Sequence, residues 1–430
     1  MRPSKVLLFI ACVMACLAAL CIVLPHHMEV GSQELHWPTL AEVLGFNDPA
    51  PIANDADIEE FPITPDSLTS EPDKAPAPVI PKIAVDSVTD SRQFLQAFYA
   101  SLSETGNRKI RVLHYGDSQI EEDRMTQQIR DMLQSRYGGG GIGLMPLVQT
   151  IPSLSIDQTL QMNGRFVSPT QGPRRYFVYG FKRDQRKDGL YGVMGQMAVM
   201  NDSLVRGSEE ITAICTPTGK GTHYTRWKIF ADPSIQHTTS GDTVHLSGKG
   251  NVYGLSQESA TGVIVDNIPM RGCLGLVFTK MNGQQLRTFY SQENVKLIIM
   301  QFGGNAIPSN ENPGTIVAVV RGLREQVQFI KRCAPEASIL FIGPSDMIRQ
   351  VDGEWETYPL VPYMDKLLRK MALEEEIAYF SLYRWMGGAG SMAHWRDIGL
   401  AGADGVHFYR GGARKAGNAV AEWILEKADN

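Results

Sequence analysis

The sequence predicts a parallel α/β domain interrupted by an all-β segment, and three observations predict it. A near-continuous apolar run at Val295–Phe302 reads as a strand covered by helices on both faces, and Lys109–Tyr115 and Ser338–Ile342 read as further strands. Helical stripes alternate with them: Met125, Ile129, Met132 and Leu133, then Ile316, Val319, Val320, Leu323, Val327 and Ile330. Between Thr150 and Val265 this alternation stops. Short strand-like runs take its place, punctuated by Gly, Asp, Ser and Pro.

The chain has 430 residues, enough for two or three domains, and its 43% apolar content excludes global disorder. Its 41 Lys+Arg against 46 Asp+Glu give a net charge of −5, which argues against a nucleic-acid partner. Three of the six cysteines (Cys12, Cys16, Cys21) lie in one N-terminal apolar run. The remaining three, Cys215, Cys273 and Cys333, fit no metal knuckle and read as buried free thiols.

Residues 1–30 read as a membrane segment. Val6–Leu24 is a run of 19 residues without a charge, preceded by Arg2 and Lys5. As a helix it would span roughly 28 Å, close to the hydrocarbon thickness. The positive flank orients the N-terminus to the cytoplasm and the body outside. The leading expectation is a single-pass inner-membrane anchor facing the periplasm. A cleaved signal peptide is one alternative and lipid attachment at Cys16 is another, and both also export the body. Residues 31–85 read as a tether, because Pro49–Pro81 holds eight prolines among scattered Asp and Glu and little apolar content.

Residues 86–149 open the α/β domain. A helix is expected over Ser91–Leu102, then a strand over Lys109–Tyr115 broken by Gly116-Asp117-Ser118, then a helix ending at Gly138. Gly138–Gly143 is read as a helix stop and turn rather than a phosphate loop, because no Gly-Lys-Ser/Thr follows. Residues 150–265 are expected to form an inserted β-sandwich with strands near Tyr176–Tyr179, Glu210–Ile214, Tyr224–Phe230, Thr243–Leu246 and Gly262–Val265. Residues 266–430 return to α/β grammar, with strands at Val295–Phe302, Ser338–Ile342 and Ile377–Ser381 and helices over Tyr363–Glu376 and Gly412–Lys427.

Three segments carry chemistry. Ser118 sits at the carboxyl end of the first strand, where open parallel sheets bind ligands, and its amide is expected at a helix N-terminus. In Asp404-Gly-Val-His407 the carboxylate lies three residues before the imidazole, close enough to orient it within one turn. In Gln301-Phe-Gly-Gly-Asn305 an amide is carried to the same sheet edge.

In this order, the segments resemble the SGNH/GDSL hydrolase family. Gly116-Asp117-Ser118 is similar to the nucleophile block, with Gln119 where the family name has leucine. Asp266-Asn-Ile-Pro-Met-Arg-Gly272 is similar to the glycine block. Gly303-Gly304-Asn305 is similar to the asparagine block, and Asp404-Gly-Val-His407 matches the last block fully. The resemblance implies a flavodoxin-like three-layer α/β/α sheet and a Ser118–His407–Asp404 triad. It also implies an oxyanion hole from the amides of Ser118 and Gly272 and the side chain of Asn305. Neither metal nor cofactor is implied. An exported member with a β-rich insert resembles bacterial peptidoglycan and polysaccharide O-acetylesterases. That implies acetylated polysaccharide or peptidoglycan as substrate and a carbohydrate-binding insert. Tyr224 and Trp227 are its candidate stacking rings, with Tyr176, Tyr179 and Tyr191 behind them. An O-acetyltransferase on the same triad and a non-catalytic envelope carbohydrate-binding protein remain the alternatives.

Overall fold

The computed structural model describes residues 90–428 apart from 148, 150, 163–164, 168–176, 180–195, 201–208, 219–222, 249 and 309, together with 27–30 and 33–36. The last two segments pair as an antiparallel hairpin of His27–Val30 with Gln33–His36. The expected membrane segment over Val6–Leu24 and the Pro49–Pro81 tether lie outside the described residues. Among the described residues no helix is long and apolar enough to cross a membrane.

Five parallel strands form the central sheet: β1 (Lys109–Gly116), β2 (Gly262–Pro269), β3 (Val295–Gln301), β4 (Ser338–Gly343) and β5 (Ala378–Ser381). Their order is β2-β1-β3-β4-β5. The topological switch therefore falls between β1 and β3, where open sheets place their ligand crevice.

Alternate residues of each strand feed opposite cores. Ile110 and Val112 of β1, with Leu297 and Ile299 of β3, pack one face. There they meet helices α1 (Gln96–Leu102), α2 (Thr126–Tyr137) and the C-terminal Arg410–Leu425. Leu113 and Tyr115, with Ile298 and Met300, pack the other. They meet α3 (Gly283–Gln292), α4 (Pro313–Cys333) and α5 (Val361–Glu374). Both faces being covered explains the high apolar content of β3 and β4. Two short helices, α6 (Leu382–Met386) and α7 (Ser391–Asp397), precede the C-terminal helix, α8.

Between α2 and β2 the described residues form two antiparallel sheets of five strands each. Strands Gly143–Met145, Arg226–Ala231 and Gly250–Glu258 lie in one; Ile156–Met162, Glu209–Pro217, Gln236–Ser240 and Thr243–Gly248 lie in the other. Met145, Val252 and Leu255 from the first share a core with Ile156, Ala213, Val244 and Leu246 from the second. One expected element is corrected. Gly262–Val265 is not a sandwich strand but the start of β2, paired in parallel with Lys109–Val112. At the other end, Gly143–Met145 pairs into the sandwich, so the β-rich segment begins before residue 150.

Contacts at its base are tight. A Cβ at Gly139, Gly140 or Gly141 would lie within 2.3 Å of a backbone oxygen of Val263, His223 or Gln257. Those glycines therefore serve close backbone approach. A buried ion network crosses the same base. Arg111 of β1 bonds Asp266 at 3.0 Å and Glu258 of the sandwich at 3.1 Å. Lys109 reaches Glu258 and Glu293, and Lys228 of the sandwich reaches Glu293. Burial would raise Glu293, but Arg111 and Lys109 outweigh it and hold the carboxyl at about 2. Cys215 and Cys333 are buried free thiols, whereas Cys273 is only half-buried.

Candidate active site

Ser118 lies two residues past the end of β1. It opens a 3-10 segment, Ser118–Asp123, rather than the α-helix expected there; α2 begins only at Thr126. Two consecutive non-glycine residues, Glu122 and Asp123, hold φ of 60° and 63°. Such strain needs external support. The Asp123 carboxylate supplies it by taking Arg130 Nη1 at 2.5 Å and Nη2 at 3.1 Å, and Ser155 Oγ as well. The Leu154 amide donates to Glu122 O at 2.8 Å. The start of the sandwich thus braces the turn that carries Ser118.

His407 arrives from the loop between α7 and α8. Asp404 Oδ1 accepts the amides of Val406 at 2.9 Å and His407 at 3.0 Å, closing a local turn. Gly405 sits at φ +68°, and a Cβ there would lie 2.5 Å from Ile348. Only glycine fits between the aspartate and the histidine. Asp404 Oδ2 is 2.6 Å from His407 Nδ1. An ionised carboxylate only accepts, so the ring proton sits on Nδ1 and Nε2 presents a lone pair. Ser118 Oγ lies 2.8 Å from that Nε2 and donates to it. Burial alone would raise Asp404. Hydrogen bonds from the His407 ring and from the Val406 and His407 amides overcome it, and the carboxyl falls to about 2.

Asn305 lies in a 3-10 turn, Gly304–Ala306, entered through Gly303 at φ +114°. Its Nδ2 donates to Asp117 Oδ2 at 3.0 Å and to Cys273 O at 3.3 Å. Gly272 sits at φ +68° between two ties: Met270 N donates to Gly116 O at 2.8 Å, and Cys273 O receives Asn305. The glycine block is thereby joined to the serine turn on one side and the asparagine block on the other. Burial pushes Asp117 up to about 6.

No protein-family profile matches the sequence, and no curated protein matches it. Solved structures do. A peptidoglycan O-acetylesterase superposes with a TM-score of 0.61 at 20% identity, covering 79% of this chain and 99% of that one. The chain shares the fold of that esterase. A carbohydrate acetylesterase from Sinorhizobium meliloti is similar over 38% of this chain and 79% of its own, at 17% identity and a TM-score of 0.29. An acetyl xylan esterase is similar over 38% of this chain and 80% of its own, at 13% identity and a TM-score of 0.27.

Within this fold, Ser118 is flanked by side chains that each reach a different block. Asp117 takes Asn305. Gln119 Nε2 donates to Val406 O at 2.7 Å, beside His407. Glu121 accepts Arg271 through two bonds of 2.7 Å, beside Gly272. The sequence reading named none of Asp117, Gln119, Glu121 and Arg271 as functional. Their only signal was spacing: positions one before, one after and three after the serine alternate toward the other blocks. Acidic residues after a strand end ordinarily read as surface, yet Glu121 and Asp123 are buried.

Tyr224 and Trp227 come together with ring centroids 5.4 Å apart, both half-buried. Tyr224 Oη and Trp227 Nε1 both donate to Gly241 O at 2.9 Å, and Tyr224 Oη also donates to Asp242 at 2.7 Å. Their polar tips are therefore engaged in holding a hairpin turn of the sandwich. Tyr176, Tyr191 and the side chain of Tyr179 lie outside the described residues. Among the described residues no group of three or more His, Cys, Asp or Glu side chains is arranged to hold a metal.

Proposed function

We propose that this chain is a serine esterase that removes O-acetyl groups from cell-envelope carbohydrate, with peptidoglycan as the substrate class. The observation that carries the reading is the continuous relay from Ser118 Oγ to His407 Nε2 at 2.8 Å and from His407 Nδ1 to Asp404 Oδ2 at 2.6 Å. Ser118 attacks the acetyl carbonyl while His407 takes its proton, and Asp404 fixes the tautomer that makes this possible. The tetrahedral oxyanion is stabilised by the Ser118 and Gly272 amides and by Asn305. Each such donor typically lowers the barrier by about 3 kcal/mol. Asn305 Nδ2 already has two acceptors, so an oxyanion would displace the longer contact, to Cys273 O. His407 then returns the proton to the departing sugar oxygen, and water, activated by the same imidazole, releases acetate from Ser118.

Two further features support the substrate and its location. The likeness to a peptidoglycan O-acetylesterase covers 79% of this chain and 99% of that one. The charge-free run Val6–Leu24 behind Arg2 and Lys5 suits an exported protein held at the inner membrane and facing the envelope. The test is acetate release from O-acetylated peptidoglycan and from a chromogenic acetate ester, each beside Ser118→Ala. Hydrolysis of both that vanishes in the variant supports the reading. Turnover only when an acceptor sugar is added would make the protein a transferase, and tight glycan binding without turnover would make it a binding protein.

A further inference from the structure

The carboxamide of Gln119 bridges the backbone on either side of His407. Its Nε2 donates to Val406 O at 2.7 Å, and the Phe408 amide donates to its Oε1 at 3.5 Å. The side chain thus pairs with the backbone of the histidine loop as a strand would, donating to the residue before His407 and accepting from the residue after. Its own amide is fixed by Asp117 Oδ1 at 3.0 Å. Arg124 adds a parallel strap, giving Nη1 to Phe408 O and Nη2 to Ser118 O, both at 3.0 Å.

The histidine loop has its own internal hold. Gly402 N donates to His407 O at 2.7 Å, Tyr409 N to Leu400 O at 3.0 Å, and Ile348 N to Gly405 O at 3.0 Å. Those bonds shape the loop but do not tie it to the serine turn. Beside the Ser118 Oγ–His407 Nε2 bond itself and an ion pair of Arg410 with Glu122, that tie is made by the carboxamide and the Arg124 strap. A leucine at this position has neither donor nor acceptor, and a glutamate lacks the donor for Val406 O.

We propose that Gln119 is a positioning residue for the base, setting the distance between His407 Nε2 and Ser118 Oγ. This rests on the serine-esterase reading and deepens it. A misplaced proton acceptor slows every step in which Ser118 is activated and leaves substrate binding alone.

The experiment uses the full chain carrying Gln119→Leu or the isosteric Gln119→Glu, each with and without His407→Ala. Three quantities are read: kcat and KM on a chromogenic acetate ester, the rate of covalent capture of Ser118 by a fluorophosphonate, and the thermal midpoint. With His407 present, both substitutions are expected to lower kcat and capture rate on the order of tenfold or more, with KM little changed. In the His407→Ala background neither substitution should slow capture further, because the group it positions is gone. Equal losses in both backgrounds, or none with His407 present, would overturn the proposal. If Gln119→Leu unfolds, Gln119→Glu decides it. A parental capture rate in His407→Ala alone would overturn the base assignment itself, a distinct and recognisable failure.

Discussion

Asn305 Nδ2 lies 3.0 Å from Asp117 Oδ2, so a candidate oxyanion donor is held by the carboxyl next to the nucleophile. That carboxyl is buried, and burial moves it from the usual 3.8 to about 6. Below both values it is protonated in folded and unfolded chains alike. As pH rises, the unfolded chain releases its proton first, and the folded state loses ground until Asp117 ionises as well. A separation of that size is worth up to about 3 kcal/mol. Thermal midpoints of the parent should therefore carry a downward contribution between about pH 4 and 6 that Asp117→Asn lacks. Parallel pH curves for the two proteins would contradict this.

Ser118→Ala and His407→Ala should each abolish ester hydrolysis while leaving the far-ultraviolet circular dichroism spectrum and thermal midpoint near parental values. Asp404→Asn keeps the turn but allows the wrong histidine tautomer. Its loss should be large, up to about 10⁴-fold, yet smaller than that of Ser118→Ala. A His407→Ala variant with most of the parental rate would remove the imidazole from the mechanism.

Asn305→Ala removes one oxyanion donor and leaves the triad untouched. The expected loss is about 10²- to 10³-fold in kcat with KM little changed. A rise in KM at constant kcat would show that Asn305 binds ground-state substrate instead.

The sandwich is fastened to the sheet by buried charge, and its removal should affect more than polymer binding. Glu258 and Arg111 are both fully buried and bond at 3.1 Å. Glu258→Gln leaves Arg111 partly uncompensated and should cost about 3 kcal/mol or more in chemical denaturation. Deleting the whole segment should expose the base of β1 and β2 and yield an unstable or insoluble protein. A soluble, fully active deletion variant would show the sandwich to be a detachable module.

Much of the fold and the triad was legible because both rest on local pattern. The apolar runs of β3 and β4, and the strand-turn-helix pattern around β1, pointed to the parallel sheet. Gly116-Asp-Ser118, Gly303-Gly-Asn305 and Asp404-Gly-Val-His407 sit at strand ends or in the loop before the last helix, where sequence position and chemistry coincide. Gly262-Val-Ile-Val265 misled because a continuous apolar run fits a sandwich core and a central parallel strand equally well. Only its partner, Lys109–Val112, decides, and pairing is non-local. The Ile348–Val351 and Glu354–Thr357 hairpin beside the histidine loop was missed because its short polar strands carry no apolar alternation. The straps from Gln119, Glu121 and Arg124 were invisible for another reason: each joins residues brought together by the whole fold.

The measurement that tests the central claim most directly is intact-mass and peptide mapping of the full chain after treatment with a fluorophosphonate. A single adduct on Ser118, absent in Ser118→Ala and formed far more slowly in His407→Ala, is the predicted result. An unmodified Ser118 in the folded parent, or equal labelling with and without His407, would contradict the serine-esterase account.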